Sequence, residues 1–258
     1  MDNKVVFLDI DGTILNEDKQ IPDSTKESVK LLQEQNINVA IATGRTPQHF
    51  QDIMAELNIN SYVSFNGSYV VYNGEVIYKR PLNREHLITL EKEAVKREHP
   101  MVFLTEKELF ANKPDDDAIH ESMASLKLTH PPFHATFHHE NDIYQALLFV
   151  EETESAWYEQ HIKQFDFVRW HEKSMDVLPP GGSKAEGIKA MLEKLNIPPK
   201  NAIAFGDGLN DLEMLEFVGC GVAMGNAVPE AKEVADMITE HVNHDGIYKG
   251  LQHIGLLK

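Results

Sequence analysis

Asp9 and Asp11 stand two residues apart directly after the apolar run "VVFL", with Gly12 and Thr13 behind them. Two carboxylates that close repel, and two conditions relieve the repulsion. A divalent cation can neutralise them, and all-oxygen ligation suits Mg²⁺. Alternatively one carboxyl stays protonated, as a general acid requires, and the two conditions are compatible. Gly12 permits a sharp turn that aims its neighbours' N–H groups at an anion, although Asp-Gly is also an ordinary turn former.

Matching parts recur downstream. "AIATGR" brings the hydroxyl of Thr43, followed by Gly44 and Arg45. Thr43 also reads as a cap for the helix near Thr46-Pro47, and Arg45 as a surface ion-pair partner. "AIAFGDGLND" ends on Asp207, with Asn210 and Asp211 on the following turn. Lys184 in "GGSKAEG" opens a helix after a glycine pair, which sets a cation beside free helix N–H groups. A nucleophile, an acid, a metal site and phosphate donors are together the equipment of phosphoryl transfer.

The elements that must position these residues are legible from periodicity. "KVVFLD", "INVAIATG", "NAIAFGD" and "CGVAMG" are apolar runs of strand length. "DSTKESVKLLQEQN", "TPQHFQDIMAELN", "SKAEGIKAMLEKLN", "NDLEMLEFV" and "PEAKEVAD" are helical patterns, the first opened by an Asp or Ser cap. Strands apolar on both faces and separated by helices predict a doubly wound, mostly parallel α/β sheet of Rossmann-like type, with ligands at the carboxyl ends of its strands.

The middle of the chain alternates differently. "YVSFNGSYVVYNGEVIYKRPL" carries Asn-Gly twice, which favours hairpins, so Asn66-Gly67 reads as a turn or as a substrate-proximal pair. Irregular helix and strand patterns follow, up to a Pro/Gly boundary at "LPPGGSK". We expect a catalytic core of residues 1–82 and 181–258, and an inserted α+β cap domain over 83–180 with hinges near Pro81-Leu82 and Pro179–Gly182. Trp157 and Trp170, with Phe165 and Phe167, are expected to fill the core of the insert, although an aromatic wall for a substrate ring is a second reading. "THPPFHATFHHE" holds His130, His134, His138 and His139, and an i, i+4 pair would suit zinc on a helix, but Pro131 and Pro132 argue against a continuous helix and no cysteine or carboxylate cluster completes four ligands, so a solvated loop is expected.

Composition sets bounds. Asp and Glu number 41 against 24 Lys and Arg, a formal net charge of -17 that repels nucleic acid and anionic membranes. Cys220 is the single cysteine and cannot form an intramolecular disulfide, which favours a reducing cytoplasm. No signal-peptide pattern opens the chain, and no stretch of about 18 apolar residues occurs. A soluble cytoplasmic protein, with no nucleic-acid or membrane partner, is expected.

The ordered set resembles the haloacid dehalogenase-like hydrolases. "DIDGTI" matches their DxDx[TV] motif, "ATGR" is similar to their second motif, Lys184 to their third and "GDGLND" to their fourth. The insert between the second and third motifs, with Asn66-Gly67 and the tail "VAMGNAVPEAKEVADMIT", resembles the Cof-type phosphatase branch. The resemblance covers the core and is weak over the insert. It implies a Mg²⁺-dependent phosphatase for a small phosphorylated metabolite: a sugar phosphate, a nucleotide or a phosphorylated cofactor. Asp9 would be the nucleophile that forms an aspartyl-phosphate, and Asp11 the acid and base. Thr43, Lys184 and Asn210 would hold phosphate. Asp9, the backbone carbonyl of Asp11, and Asp207 would ligate the metal, supported by Gly12, Thr13, Gly44, Arg45 and Asp211. The alternatives are a phosphomutase and a catalytically silent phosphate-binding protein.

Overall fold

Four consecutive apolar residues, Val5–Leu8, form β1, and all four are buried because layers of structure cover both faces of the strand. The computed structural model describes residues 4–258. The polypeptide then runs through α1 (Asp23–Glu34), β2 (Asn38–Ala42), α2 (Gln51–Leu57), β3 (Tyr62–Ser64), β4 (Tyr69–Tyr72) and β5 (Glu75–Lys79). After a long excursion it returns as α7 (Lys184–Leu195), β11 (Ala202–Gly206), α8 (Leu212–Phe217), β12 (Cys220–Ala223), α9 (Pro229–Val234), β13 (Met237–Ile238) and α10 (Gly246–His253). The excursion comprises α3 (Arg84–Lys96), β6 (Met101–Leu104), β7 (Leu109–Ala111), α4 (Asp117–Ser125), α5 (Phe137–Glu140), β8 (Gln145–Leu148), α6 (Glu152–His161), β9 (Asp166–His171) and β10 (Ser174–Leu178).

The strands form two separate sheets. The larger has the order β13-β12-β11-β1-β2-β3-β4-β5, parallel from β13 to β3 and antiparallel through the two hairpins that end it. This is the doubly wound, mostly parallel sheet expected from the apolar runs. β1 lies between β2 and β11, so the chain winds outward in opposite directions on its two sides, and the crevice at such a reversal is where α/β sheets bind ligands. The second sheet has the order β7-β6-β8-β10-β9 and is antiparallel throughout.

The described residues divide into two compact units: one up to Arg45, with His49–Lys79 and Ser183–Lys258, the other Thr46–Gln48 with Arg80–Gly182. Each has its own apolar core. In the first, β1, β2 and β11 pack against Val29, Leu32, Ile188 and Met191 from the helices. In the second, Leu87 and Leu90 of α3 and Tyr158 of α6 pack on Phe103, Leu148, Met175 and Val177 of the sheet.

Three local expectations need correction. α1 has Pro22 at its N-cap position and no side-chain cap, so Asp23 lies inside the first turn, where its charge faces the positive helix end. Trp157, Phe165 and Phe167 join the core of the second unit, but Trp170 lies instead beside Asp176. The histidine stretch is not a solvated loop at its end, because Phe137–Glu140 is helical and His138 is completely buried.

The placement of α7 depends on two glycines. Gly67 has φ +97°, and a Cβ there would stand 2.0 Å from the Ser183 carbonyl oxygen. A Cβ on Gly187 would stand 2.4 Å from Val63 Cγ1 and 2.8 Å from Gly67 Cα. In an isolated helix Gly187→Ala would gain about 1 kcal/mol. Here the methyl meets backbone that cannot rotate aside, and overpacking costs about 1–3 kcal/mol. Gly187→Ala should therefore lower the urea midpoint of unfolding; an unchanged or higher midpoint would show that this contact is loose.

Candidate active site

Because β1, β2 and β11 are parallel neighbours in register, the residues that follow them emerge side by side: Asp9, Thr43 and Asp207. The Asp9 N–H still belongs to the sheet, donating to the Phe205 carbonyl at 3.0 Å. α7 brings in Lys184 as its first residue, and this side chain has no solvent exposure. Its Nζ lies 2.5 Å from Oδ1 of Asp9 and 2.7 Å from Oδ1 of Asp211.

Each charge in this chain depends on the others. Burial works against the ammonium, but Asp211 and Asp9 outweigh it and hold Lys184 protonated. Burial pushes the Asp9 carboxyl up to about 7; Lys184 pulls it down, while Asp211 and Asp207 push the same way as burial. Asp207 is also pushed up, to about 6, by burial and by Asp211, against a hydrogen bond from Thr13 Oγ1 at 3.0 Å. Three carboxylates facing one ammonium leave negative charge uncompensated.

Asp211 is fully enclosed and its oxygens are already in use. Oδ1 accepts from Lys184, and Oδ2 accepts from the N–H groups of Asp207 at 2.9 Å and Gly208 at 2.8 Å. It thereby fixes both the ammonium and the turn that carries Asp207. Ligand oxygens of Asp9, Asp207 and Asp211 lie within 4.8 Å of one another, a grouping of hard donors with excess negative charge that fits a divalent cation of the Mg²⁺ type.

Asp11 has a different environment. Arg45 donates to both of its oxygens, Nε to Oδ2 at 2.8 Å and Nη2 to Oδ1 at 2.6 Å, and Lys19 Nζ adds a third contact at 2.8 Å. Burial raises the Asp11 carboxyl, but Arg45 and Lys19 outweigh it and hold the group below its usual range. The two aspartates thus face different basic side chains: Asp9 shares Lys184, which was expected to offset its charge, with Asp211, while Asp11 has Arg45 and Lys19, a pairing the sequence did not suggest. Arg45 is an ion-pair partner, as one sequence reading had it, and the partner is Asp11. One expectation fails in part: the N–H of Thr13, next to Gly12, turns back to the Ile10 carbonyl at 3.4 Å and is not offered to an anion.

A second strip of hydrogen bonds runs along the β2 end. The Thr43 hydroxyl accepts from the Arg45 N–H at 3.1 Å, and its carbonyl accepts from the Asn66 N–H at 3.2 Å. Asn66 Oδ1 accepts from Asn210 Nδ2 at 3.4 Å, and the Asn66 side chain lies so close to Gly44 that a Cβ there would stand 2.9 Å from it. Asn66, Gly44, Thr43 and Asn210 are therefore neighbours, and Gly67 carries the turn onto the start of α7. Two participants escaped the sequence reading. Lys19 sits in a polar stretch that reads as surface. Asn226 donates to the Gly12 carbonyl at 2.7 Å and accepts from the Val242 N–H at 2.9 Å, and its only signal is its place in "MGNA".

The family model of haloacid dehalogenase-like hydrolases matches residues 6–251. The chain belongs to the haloacid dehalogenase-like hydrolases. Within that family it falls in the Cof-type branch, and it is a hydrolase acting on phosphate esters. A Bacillus subtilis protein named "Putative phosphatase YkrA" is 48% identical over 258 residues, covering 100% of both chains. A solved structure, a hypothetical protein from Geobacillus kaustophilus, is 53% identical with a TM-score of 0.96, covering 99% of this chain and 100% of that one. The 5-amino-6-(5-phospho-D-ribitylamino)uracil phosphatase YcsE of Bacillus subtilis is 27% identical over 98% of this chain and 96% of its own.

Lys184→Met tests the electrostatics of this haloacid dehalogenase-like site. Removing one partner of a buried ion pair costs about 3–5 kcal/mol, because the remaining carboxylates stay buried without a counter-charge. The folded-state pKa of Asp9 exceeds its unfolded value, so the native state holds more protons between pH 4 and 7 and this contribution to stability falls as pH rises through that window. Urea unfolding in chelator should show the variant far less stable at pH 8, with the gap narrowing at pH 5. Equal stability at pH 8 would contradict the pairing.

Proposed function

We propose that the protein is a Mg²⁺-dependent phosphatase that hydrolyses a small phosphorylated metabolite through a phosphoryl group carried on Asp9. The observation that carries this reading is the buried chain Asp9–Lys184–Asp211 beside Asp207. Asp9 is an ionisable oxygen nucleophile held at a strand end, with its charge balanced but not quenched by protonation once a cation shares the site.

An Asp9 oxygen bonds to phosphorus as the bond to the leaving oxygen breaks, and Asp11 supplies a proton to that oxygen. Asp11 then takes a proton from the water that attacks the aspartyl-phosphate, and Asp9 is released. Asp11 must exchange its Arg45 and Lys19 contacts to carry the proton. An ammonium has three N–H donors and Lys184 uses two on carboxylates, so one remains for a phosphoryl oxygen. The hydroxyl of Thr43 and the amide of Asn210 serve the same group. Mg²⁺ would be held by Asp9, Asp207 and the carbonyl of Asp11, and when bound it offsets the negative charge of carboxylates and phosphate together.

The insert, residues 83–180, is assigned as the cap that selects the substrate, with Pro81-Leu82 and Pro179–Gly182 as its hinges. A cap that closes and opens excludes water from the first step and admits it to the second. Resemblance to a phosphatase of a phosphorylated ribitylamino-uracil supports a small phosphorylated metabolite as substrate. The acidic charge argues against nucleic acid as a partner, and the lone cysteine supports a cytoplasmic location. Among the described residues no helix is long and apolar enough to cross a membrane.

The test is phosphate release from a panel of sugar phosphates, nucleotides and phosphorylated cofactors, with Mg²⁺ and with chelator. Release should require the metal and vanish in Asp9→Asn, while Asp11→Asn should lose about 10²–10⁴-fold, the usual weight of a general acid–base group. Release that persists in Asp9→Asn would sink the proposal, and isomerised product without free phosphate would favour a mutase.

A further inference from the structure

The histidines of "THPPFHATFHHE" lack a carboxylate in sequence, but the fold supplies one. Glu91 lies on α3, one residue after the buried Leu90, and α5 packs against that helix with His138 and His139. One ligand atom from each of Glu91, His138 and His139 lies within 4.8 Å of the other two. This cluster belongs wholly to the second unit and has no part in the phosphoryl-transfer chemistry above.

His138 is the unusual member. Its ring has no solvent exposure and stacks on Phe103 with centroids 4.1 Å apart. Its Nε2 lies 3.0 Å from Oε2 of Glu91 but off the line that a hydrogen bond needs, so neither ring nitrogen of this buried side chain is hydrogen-bonded. Buried polar atoms are normally satisfied, and a cation can satisfy a ring nitrogen where no donor or acceptor does.

The surroundings are arranged as around a metal ligand. Asn112 Nδ2 donates to Oε1 of Glu91 at 3.1 Å, and Asn112 is itself held by the Met101 N–H at 2.8 Å, so the carboxylate is oriented from behind. His139 is exposed and gives access from solvent.

We propose that Glu91, His138 and His139 form a three-ligand site for a borderline divalent cation such as Zn²⁺, with the fourth position left to water. Two imidazoles and one carboxylate are a Zn²⁺ donor set, whereas Mg²⁺ prefers oxygen alone. Zinc-ligand distances of about 2.0–2.2 Å place tetrahedral ligand atoms roughly 3.3–3.6 Å apart, close to the 3.0 Å already between His138 Nε2 and Glu91 Oε2, and the exposed His139 ring completes the set by side-chain rotation. The ion ties the single-turn helix α5, which follows a proline-rich loop, to the longer α3.

The experiment is Zn²⁺ binding to the full chain in excess Mg²⁺, by competition with a chromophoric chelator. It is done in an Asp9→Asn, Asp207→Asn background, so that the acidic cluster of the other unit does not compete. The same background with His139→Ala is the comparison. His139 is exposed, and equal melting temperatures without zinc establish that its loss leaves the fold intact. The expected result is one equivalent bound at micromolar or lower free Zn²⁺, with a rise in melting temperature. His139→Ala should weaken binding more than about tenfold, since even outer residues around a metal carry that much. No stoichiometric binding, or equal affinity in His139→Ala, would overturn the site and leave a metal-free His138–Glu91 contact.

Discussion

A lysine side chain with no contact with water keeps its charge only where carboxylates surround it, and Lys184 meets that condition between Asp9 and Asp211. Satisfying it constrains the fold in three places at once. β1 must lie beside β11, so that Asp9 and the turn holding Asp211 share the carboxyl end of the sheet. α7 must begin against the Phe65–Gly67 turn, which the close approach of Gly67 and Gly187 permits. Asp211 must also hold the N–H groups of Asp207 and Gly208, which ties the second acidic residue to the same cation. A buried ion pair is weak evidence of stability, since desolvation offsets much of its attraction, so its use here is better read as orientation of Asp9.

The contrast between Asp9 and Asp11 follows from the same geometry. The two differ by two positions on one short turn, yet one carboxyl is pushed up to about 7 and the other is held below its usual range. Burial acts on both. What separates them is the company: Asp9 meets two further carboxylates and a shared lysine, while Asp11 meets an arginine and a lysine of its own. Environments that pull two neighbouring acids apart in this way suit a division of labour between them.

The strands and most helices of the core were legible because burial on both faces demands unbroken apolar runs, and "KVVFLD" and "NAIAFGD" are such runs. That Asp9, Thr43, Lys184 and Asp207 come together was legible because strand ends and helix starts converge at one end of an α/β sheet. Lys19 and Asn226 were not, since an exposed lysine and an asparagine in a turn have the same local pattern whether or not they touch such a site, 8 residues away for Lys19 and 214 for Asn226. The burial of His138 was equally hidden, because its carboxylate partner lies on another helix and the prolines before it suggested a loop. α1 shows the reverse case, a local capping signal that the fold does not use.

If the Lys184-held carboxylate of Asp9 carries the phosphoryl group, that group can be trapped on it. Enzyme turned over briefly with a labelled phosphorylated substrate in Mg²⁺, quenched in acid and digested, should carry label on the peptide containing Asp9. Asp11→Asn should change the amount trapped, by slowing formation or breakdown, without moving it. Label on another residue, or none during measurable turnover of wild type and Asp11→Asn alike, would contradict the account.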